Sequence, residues 1–287
     1  MKGITVTIPE IPSAAAKTSA MQPSAIVDDY LRALRMPRAV PTFDYLAEIQ
    51  RRHLACFTFA SVGVWLGDAL PLDIDALHRR IVVARRGGYC FEQNGLLCAM
   101  LGELGFVTTM CLARVVVNGD EHPALTHRMT LVDIDDRRHV VDVGFGANGP
   151  RRPVCLDGEE SPECDRTFRI SRPRGPELHL QVRRDGDYLS LYKFELARYG
   201  AADCEVGHFY SHRHPRAIFV NNLVAARILD DEIRSLRNRD YWLLRAGGDV
   251  RRTIDSAVEL EAALVDDFGL EVSAEEAARL YARLSPS

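Results

Sequence analysis

"THRMTLVDIDDRRHVVDVGFG", residues 126–146, is the stretch on which the fold turns. Two runs rich in Val, Thr and Leu, "HRMTLVDI" and "RHVVDVGF", flank a pair of aspartates, a pattern that reads as two antiparallel strands joined by a tight turn. If Asp135 and Asp136 form a two-residue turn, Ile134 pairs with Arg137 and Met129 with Asp142. Side chains alternate across a sheet, so residues 127, 129 and 142 then share a face and His127 lies diagonal to Asp142. Diagonal neighbours are about 7–8 Å apart at Cα, a span that an imidazole and a carboxylate close with a hydrogen bond. A three-residue loop without a bulge would send the two side chains to opposite faces.

Similar short runs, "FVTTMCLARVVV", "ELHLQVRR" and "YLSLYKFEL", make the middle of the chain a β region that begins near Phe106. The first hundred residues read instead as helices. Ile26, Tyr30, Leu31 and Leu34 form one apolar stripe; Ile74, Leu77 and Ile81 form another, with Asp73 as N-cap and Leu72 with Leu77 as its hydrophobic staple. Gly87 and Gly88 are expected to stop that second helix. Beyond about Gly207 the pattern is mixed, and it closes on two helices with capping boxes, Ser256 with Glu259 and Ser273 with Glu276. Helices, then strands, then a mixed tail indicate an α+β protein in three parts. Residues 10–24, "EIPSAAAKTSAMQPS", are small and aperiodic, and the whole of 1–24 reads as a strap or tail.

"ARRGGYCFEQNG", residues 84–95, sets Cys90 at the mouth of a third helix, whose apolar face is Leu97, Met100, Leu101 and Leu104. Unpaired N–H groups and the positive end of the helix dipole there favour a thiolate, and two glycines let a substrate approach the sulfur. A buried, inert thiol is the competing reading, since cysteine is among the most buried residue types. His127 and Asp142 weigh against it. An aspartate on one imidazole nitrogen fixes the tautomer and leaves the other nitrogen to take the thiol proton, producing a nucleophilic thiolate–imidazolium pair.

The remaining composition narrows the function. The 287 residues are 47% hydrophobic and 26% charged with a net charge of −4, which gives no overall electrostatic reason to bind nucleic acid or an anionic membrane. No apolar run reaches the roughly 18 residues of a membrane span, and the N-terminus lacks the apolar core of a signal peptide. Seven cysteines, with no Cys-x-x-Cys pair, suggest free thiols and a cytoplasmic setting. His208, His212 and His214 invite a metal, but Pro215 follows closely and "SHRH" reads more as loop or strand, so no metal site is assigned. "GFGANG", residues 144–149, opens no helix and is not a dinucleotide loop. Trp65 and Trp242 read as packing residues rather than stacking platforms for bases.

"RGGYCFEQN" around Cys90, "THRMTLV" from Thr126 and "VDVGFG" containing Asp142, in that order and spacing, resemble the arylamine N-acetyltransferases. The resemblance extends loosely from Ala25 to Leu284. It implies a helical domain over 1–106 carrying Cys90, a β-barrel domain over 107–206 carrying His127 and Asp142, and an α/β lid over 207–287, with the Cys-His-Asp triad between the first two. It further implies that an acyl-CoA, a co-substrate rather than a permanently bound cofactor, acylates Cys90, and that an arylamine or arylhydrazine nitrogen then takes the acyl group. The backbone N–H groups of Cys90 and Gly144 are candidate oxyanion donors. Phe145 is a candidate to stack on an aromatic substrate, with core packing as the equal alternative. The loop "EHPALT", residues 121–126, implies donor contacts at Ala124 and Thr126, although it lacks the glycine the family often has there.

Two further segments depart from the family's usual pattern, "FASVGVWLG" at 59–67 and "YSHRHPRAIF" at 210–219. They leave room for a different acyl donor, including a carrier-protein thioester in an amide synthase. A hydrolase using the same triad, or an inactive binding protein, are the remaining alternatives.

Overall fold

The computed structural model describes residues 23–119, 123–173 and 175–284. Most of the expected strap therefore lies outside the described residues. Helices α1 (Pro23–Leu34) and α2 (Phe43–Cys56) come first. In α1 the stripe of Ile26, Tyr30, Leu31 and Leu34 is buried as the periodicity requires. A two-residue strand β1 (Phe59–Ala60) and a short helix α3 (Val62–Leu66) follow. Helix α4 (Ile74–Leu77) is capped by Asp73, whose side chain accepts the Ala76 N–H at 2.9 Å. It widens into a π-helical stretch over His78–Val83 and breaks at Arg85, which is left-handed at φ 49°. The break thus comes two residues before the glycines expected to cause it. Helix α5 (Cys90–Glu103) ends with Gly105 left-handed at φ 91°.

Strands β2 (Val107–Val115), β3 (His127–Ile134) and β4 (Arg137–Val141) continue the chain. Ile134 pairs with Arg137 and Thr130 with Val141, the register expected from a two-residue turn. Asp135 and Asp136 sit at φ 52° and 57°, the left-handed pair that a type I′ turn demands and that aspartate tolerates. After β4 come β5 (Val154–Cys155), β6 (Ser161–Pro162), β7 (Thr167–Ser171), β8 (Leu178–Arg183) and β9 (Leu189–Phe194). The eight strands run β5-β4-β3-β2-β9-β8-β7-β6, and β5 approaches β7, so the sheet curls into a nearly closed barrel. Its inner face is apolar: Met129, Leu131, Val140, Phe168, Leu180 and Leu191 form one cluster.

Helix α6 (Ala201–Arg213) and α7 (Ile218–Asn221) lead to a second sheet. Its strands are β10 (Val224–Ile228), β11 (Glu232–Arg237), β12 (Asp240–Arg245) and β13 (Val250–Thr253), and β1 joins it by pairing Phe59 with Ala226. Helices α8 (Ala257–Ala262) and α9 (Ala274–Ala282) cover it. The capping box at Ser273 forms fully. At Ser256 only half forms, because Glu259 reaches the N–H of Asp255 instead of that of Ser256. The family of helices and two sheets is an α+β fold. Among the described residues no helix is long and apolar enough to cross a membrane.

Candidate active site

Cys90 is the first residue of α5 and is 2% exposed. The chain enters through Gly87 at φ 65°, where a Cβ would lie 2.8 Å from the Thr58 carbonyl oxygen and 2.9 Å from Leu270. The Gly88 carbonyl accepts from the Ala60 N–H at 2.9 Å. Both glycines are buried, so they serve packing against β1 and the C-terminal segment rather than the approach of a substrate to the sulfur. Glu92 completes the helix start by accepting the Tyr89 N–H at 3.1 Å and pairing with Arg80 at 2.9 Å. Burial pushes its carboxyl up to about 7 against the pull of Arg80.

The hairpin brings His127 and Asp142 together: Nε2 meets Oδ2 at 2.7 Å, and both side chains are buried. The other carboxylate oxygen accepts from Asn94 Nδ2 at 2.8 Å and from the Gly144 N–H at 2.8 Å. Asn94 lies four residues after Cys90, on the same face of α5. It also donates to the Arg128 carbonyl at 2.6 Å and accepts the Val143 N–H at 3.0 Å. One helix therefore carries the sulfur and fixes the carboxylate. Gln50 adds a hydrogen bond from Nε2 to the Asp142 carbonyl at 3.3 Å.

Gly144 is needed here for closeness. A Cβ on it would lie 2.5 Å from Asn94 Nδ2 and 2.6 Å from Cys90 Cα. Its N–H, expected to receive an oxyanion, is instead taken by Asp142, as the amide two residues after an aspartate commonly is. The Cys90 N–H retains that candidacy, because the first N–H of a helix has no intrahelical acceptor.

With Nε2 on Asp142, Nδ1 is the His127 nitrogen left to face Cys90, which lines the same cavity. The sulfur also lies 3.5 Å from the Thr126 carbonyl. Burial acts to lower the His127 pKa, but the Asp142 charge and hydrogen bond, aided by Cys90, outweigh it and push the imidazole up to about 10. Burial acts to raise the Asp142 pKa; His127, Asn94 and the Gly144 N–H hold it below the usual carboxylate range. The pair is thus imidazolium and carboxylate at neutral pH. Such a pair can support a thiolate and return a proton to a leaving group.

Phe145 packs edge-on to the His127 ring at 5.2 Å, and Tyr192 lies 4.9 Å from that ring. Tyr192 is fully buried, and burial followed by the Asp142 charge raises its pKa well above the ordinary value, so the phenol stays protonated. The site opens into a cavity of about 400 Å³ that includes Cys90, Thr126, His127, Gly144 and Phe145. Phe59, Val115, Val117, Ile218 and Phe219 supply apolar walls; Asn118, Asn148, Tyr210, Arg216 and Arg237 supply polar ones. Both segments that depart from the family's usual pattern contribute to this lining. Thr126 lines the cavity, whereas Ala124 is exposed outside it.

His208 and His212 stand on α6, not on a loop or strand; Pro215 marks the end of that helix rather than preventing it. Nδ1 of His208 meets the Tyr89 hydroxyl at 2.6 Å and Nε2 meets the Leu70 carbonyl at 2.8 Å, so this histidine braces the residue before Cys90. Asn94 and Tyr192 escaped the sequence reading. The Cys-x-x-x-Asn spacing was a usable signal for the first; Tyr192, one strand beyond β2, offered none.

A cysteine at a helix mouth, a histidine–aspartate pair and a nearly closed barrel together have the chemistry of an acyl-transfer site. The model of a family described as N-acetyltransferase matches residues 42–277. An arylamine N-acetyltransferase of Mycolicibacterium smegmatis is 34% identical over 242 residues, which cover 82% of this chain and 88% of that one. The structure of the arylamine N-acetyltransferase from Salmonella typhimurium superposes with a TM-score of 0.86 at 30% identity, covering 90% of this chain and 98% of that one. The Mycobacterium marinum arylamine N-acetyltransferase in complex with CoA gives 0.85 at 28% identity, with 90% and 99% covered. The chain belongs to the arylamine N-acetyltransferase family.

Removing the Asn94 amide should expose how far the site depends on it. In Asn94→Ala the Asp142 carboxylate loses a donor, costing about 1.5–3 kcal/mol of stability in urea unfolding. The Asp142 pKa rises, so the acid limb of the activity–pH profile moves to higher pH; a limb that stays in place would contradict this role.

Proposed function

We propose that the protein transfers an acetyl or other short acyl group from acyl-CoA to an arylamine or arylhydrazine through a Cys90 thioester. The observation that carries this reading is the buried His127–Asp142 pair at 2.7 Å, with His127 and Cys90 lining one aromatic-walled cavity. Cys90 Sγ attacks the thioester carbonyl carbon, forming a tetrahedral oxyanion that the Cys90 N–H can receive. Collapse breaks the carbon–sulfur bond to CoA, which leaves with the proton held by His127. The exchange of one thioester for another is nearly isoenergetic, so the acyl group stays activated. The amine nitrogen then attacks, gives its proton to His127 and departs as the amide, restoring Cys90. An arylamine is neutral near pH 7 and needs no prior deprotonation.

The parts divide as a helical unit over 1–106 with Cys90, a barrel over 107–206 with His127 and Asp142, and a lid over 207–287. Strand β1 ties the first to the last. The triad then lies between the helical unit and the barrel. Phe59, Phe145 and Phe219 form an aromatic wall suited to an aryl ring. Arg216 and Arg237 line the cavity without a carboxylate partner among the described residues, which suits the phosphates of CoA. Thr126 replaces Ala124 as the donor contact from its loop. The CoA complex of the relative favours a CoA thioester over a carrier-protein donor. Seven unpaired cysteines favour a reducing, cytoplasmic setting.

Incubation with acetyl-CoA and no amine should add the mass of one acetyl group to the intact protein, and an arylamine should discharge it. Cys90→Ala should gain nothing. No acylation by any short acyl-CoA would sink the donor assignment, and sustained CoA release well beyond one equivalent without amine would make the enzyme a hydrolase. Arg237→Ala should raise the KM for acetyl-CoA about ten-fold while leaving the KM for the amine in place; equal changes in both would contradict its assignment to the donor.

A further inference from the structure

Strand β10 separates two cavities. Val224 and Ala226 line the one that holds Cys90; Arg227, on the alternate face, lines a second of about 690 Å³ behind it. Six arginines line the second cavity: Arg32, Arg35, Arg51, Arg52, Arg85 and Arg227. Three are neutralised: Arg32 pairs with Asp29, Arg51 with Glu48 and Asp230, and Arg52 with Glu48. Among the described residues Arg35, Arg85 and Arg227 have no carboxylate partner.

Two of these three are fixed in place by the backbone. Arg227 Nε donates to the Ala55 carbonyl at 2.8 Å, and Arg85 Nη1 to the adjacent Cys56 carbonyl at 3.3 Å and to its sulfur at 3.1 Å. The Arg85 guanidinium also lies over the Phe57 ring at 5.2 Å. Anchoring to consecutive carbonyls holds two like charges side by side. Burial, Arg234 and Arg85 together lower the pKa of Arg227, the signature of a cation without its counter-charge. Arg85 is left-handed at φ 49°, a conformation uncommon for a non-glycine residue that turns this stretch of chain just ahead of Gly87.

We propose that this pocket binds a small phosphorylated ligand, a phosphate dianion or a diphosphate, between Arg35, Arg85 and Arg227. Guanidinium forks match phosphate oxygens, and a ligand of that charge neutralises the three cations left over. Occupancy would tie the segment leading into α5 to the strand that walls the substrate cavity. The site is independent of the acyl chemistry at Cys90.

Calorimetric titration of the full chain with sodium pyrophosphate, and separately with ADP, in low-salt, phosphate-free buffer tests it. One saturable site is expected, weakened about ten-fold in Arg227→Gln and in Arg85→Gln, and about three-fold in the exposed Arg35→Gln, which carries little folding risk. Affinity should fall as NaCl is raised. ADP binding tighter than pyrophosphate would identify a nucleotide, and equal affinities would identify the phosphate group alone; either supports the site. Absence of saturable binding below about 10 mM, or binding unchanged in both Arg35→Gln and Arg227→Gln, overturns it. So does binding that Arg237→Ala abolishes, since the anion would then lie in the Cys90 cavity.

Discussion

A buried carboxylate holds this molecule's chemistry together. Asp142 has no exposure to solvent, so its charge survives only because every strong partner is supplied by the protein: His127 on one oxygen, Asn94 and the Gly144 N–H on the other. These partners come from a strand end, a helix and the loop that follows the hairpin. Satisfying one charge therefore docks α5 against β3 and β4, and Cys90, sharing α5 with Asn94, is docked by the same contacts. Gly144 allows the approach, since any side chain there would collide with Asn94 and the Cys90 backbone.

Electrostatics follow from that geometry. Burial alone would leave His127 neutral and Asp142 protonated; together each holds the other charged. An imidazolium so held is suited to partner a sulfur anion and to give a proton to a departing thiol. Aromatic rings of Phe145 and Tyr192 flank the imidazole, and burial strengthens the charged pair.

Much of this was legible in the sequence where local chemistry dictates geometry. The Asp135–Asp136 turn fixes the register of the hairpin, and that register alone puts His127 and Asp142 on one face. The helical stripe ahead and the caps at Asp73 and Ser273 were equally local. What escaped depends on direction or distance. A sequence does not tell where an amide points, so the Gly144 N–H was assigned to an oxyanion although it folds back on Asp142. Strand β1 is two residues long and its partner β10 lies far along the chain, so no periodicity announces it. Around His208 and His212 the sequence alone does not distinguish a proline that prevents a helix from one that marks its end, and α6 ends just before Pro215. The arginines around Arg227 come from α1 and the turn after it, from α2, from the non-helical stretch before α5 and from β10, and only folding gathers them.

The claim that Asp142 keeps His127 charged beside Cys90 is tested most directly by NMR of nitrogen-labelled imidazole across pH in the full chain. The account predicts that the His127 ring stays doubly protonated well above neutrality and titrates far above the ordinary value of about 6.5, and that Asp142→Asn brings it down by more than one unit. A His127 that titrates near the ordinary value in the unmodified protein, unmoved by Asp142→Asn, would contradict it.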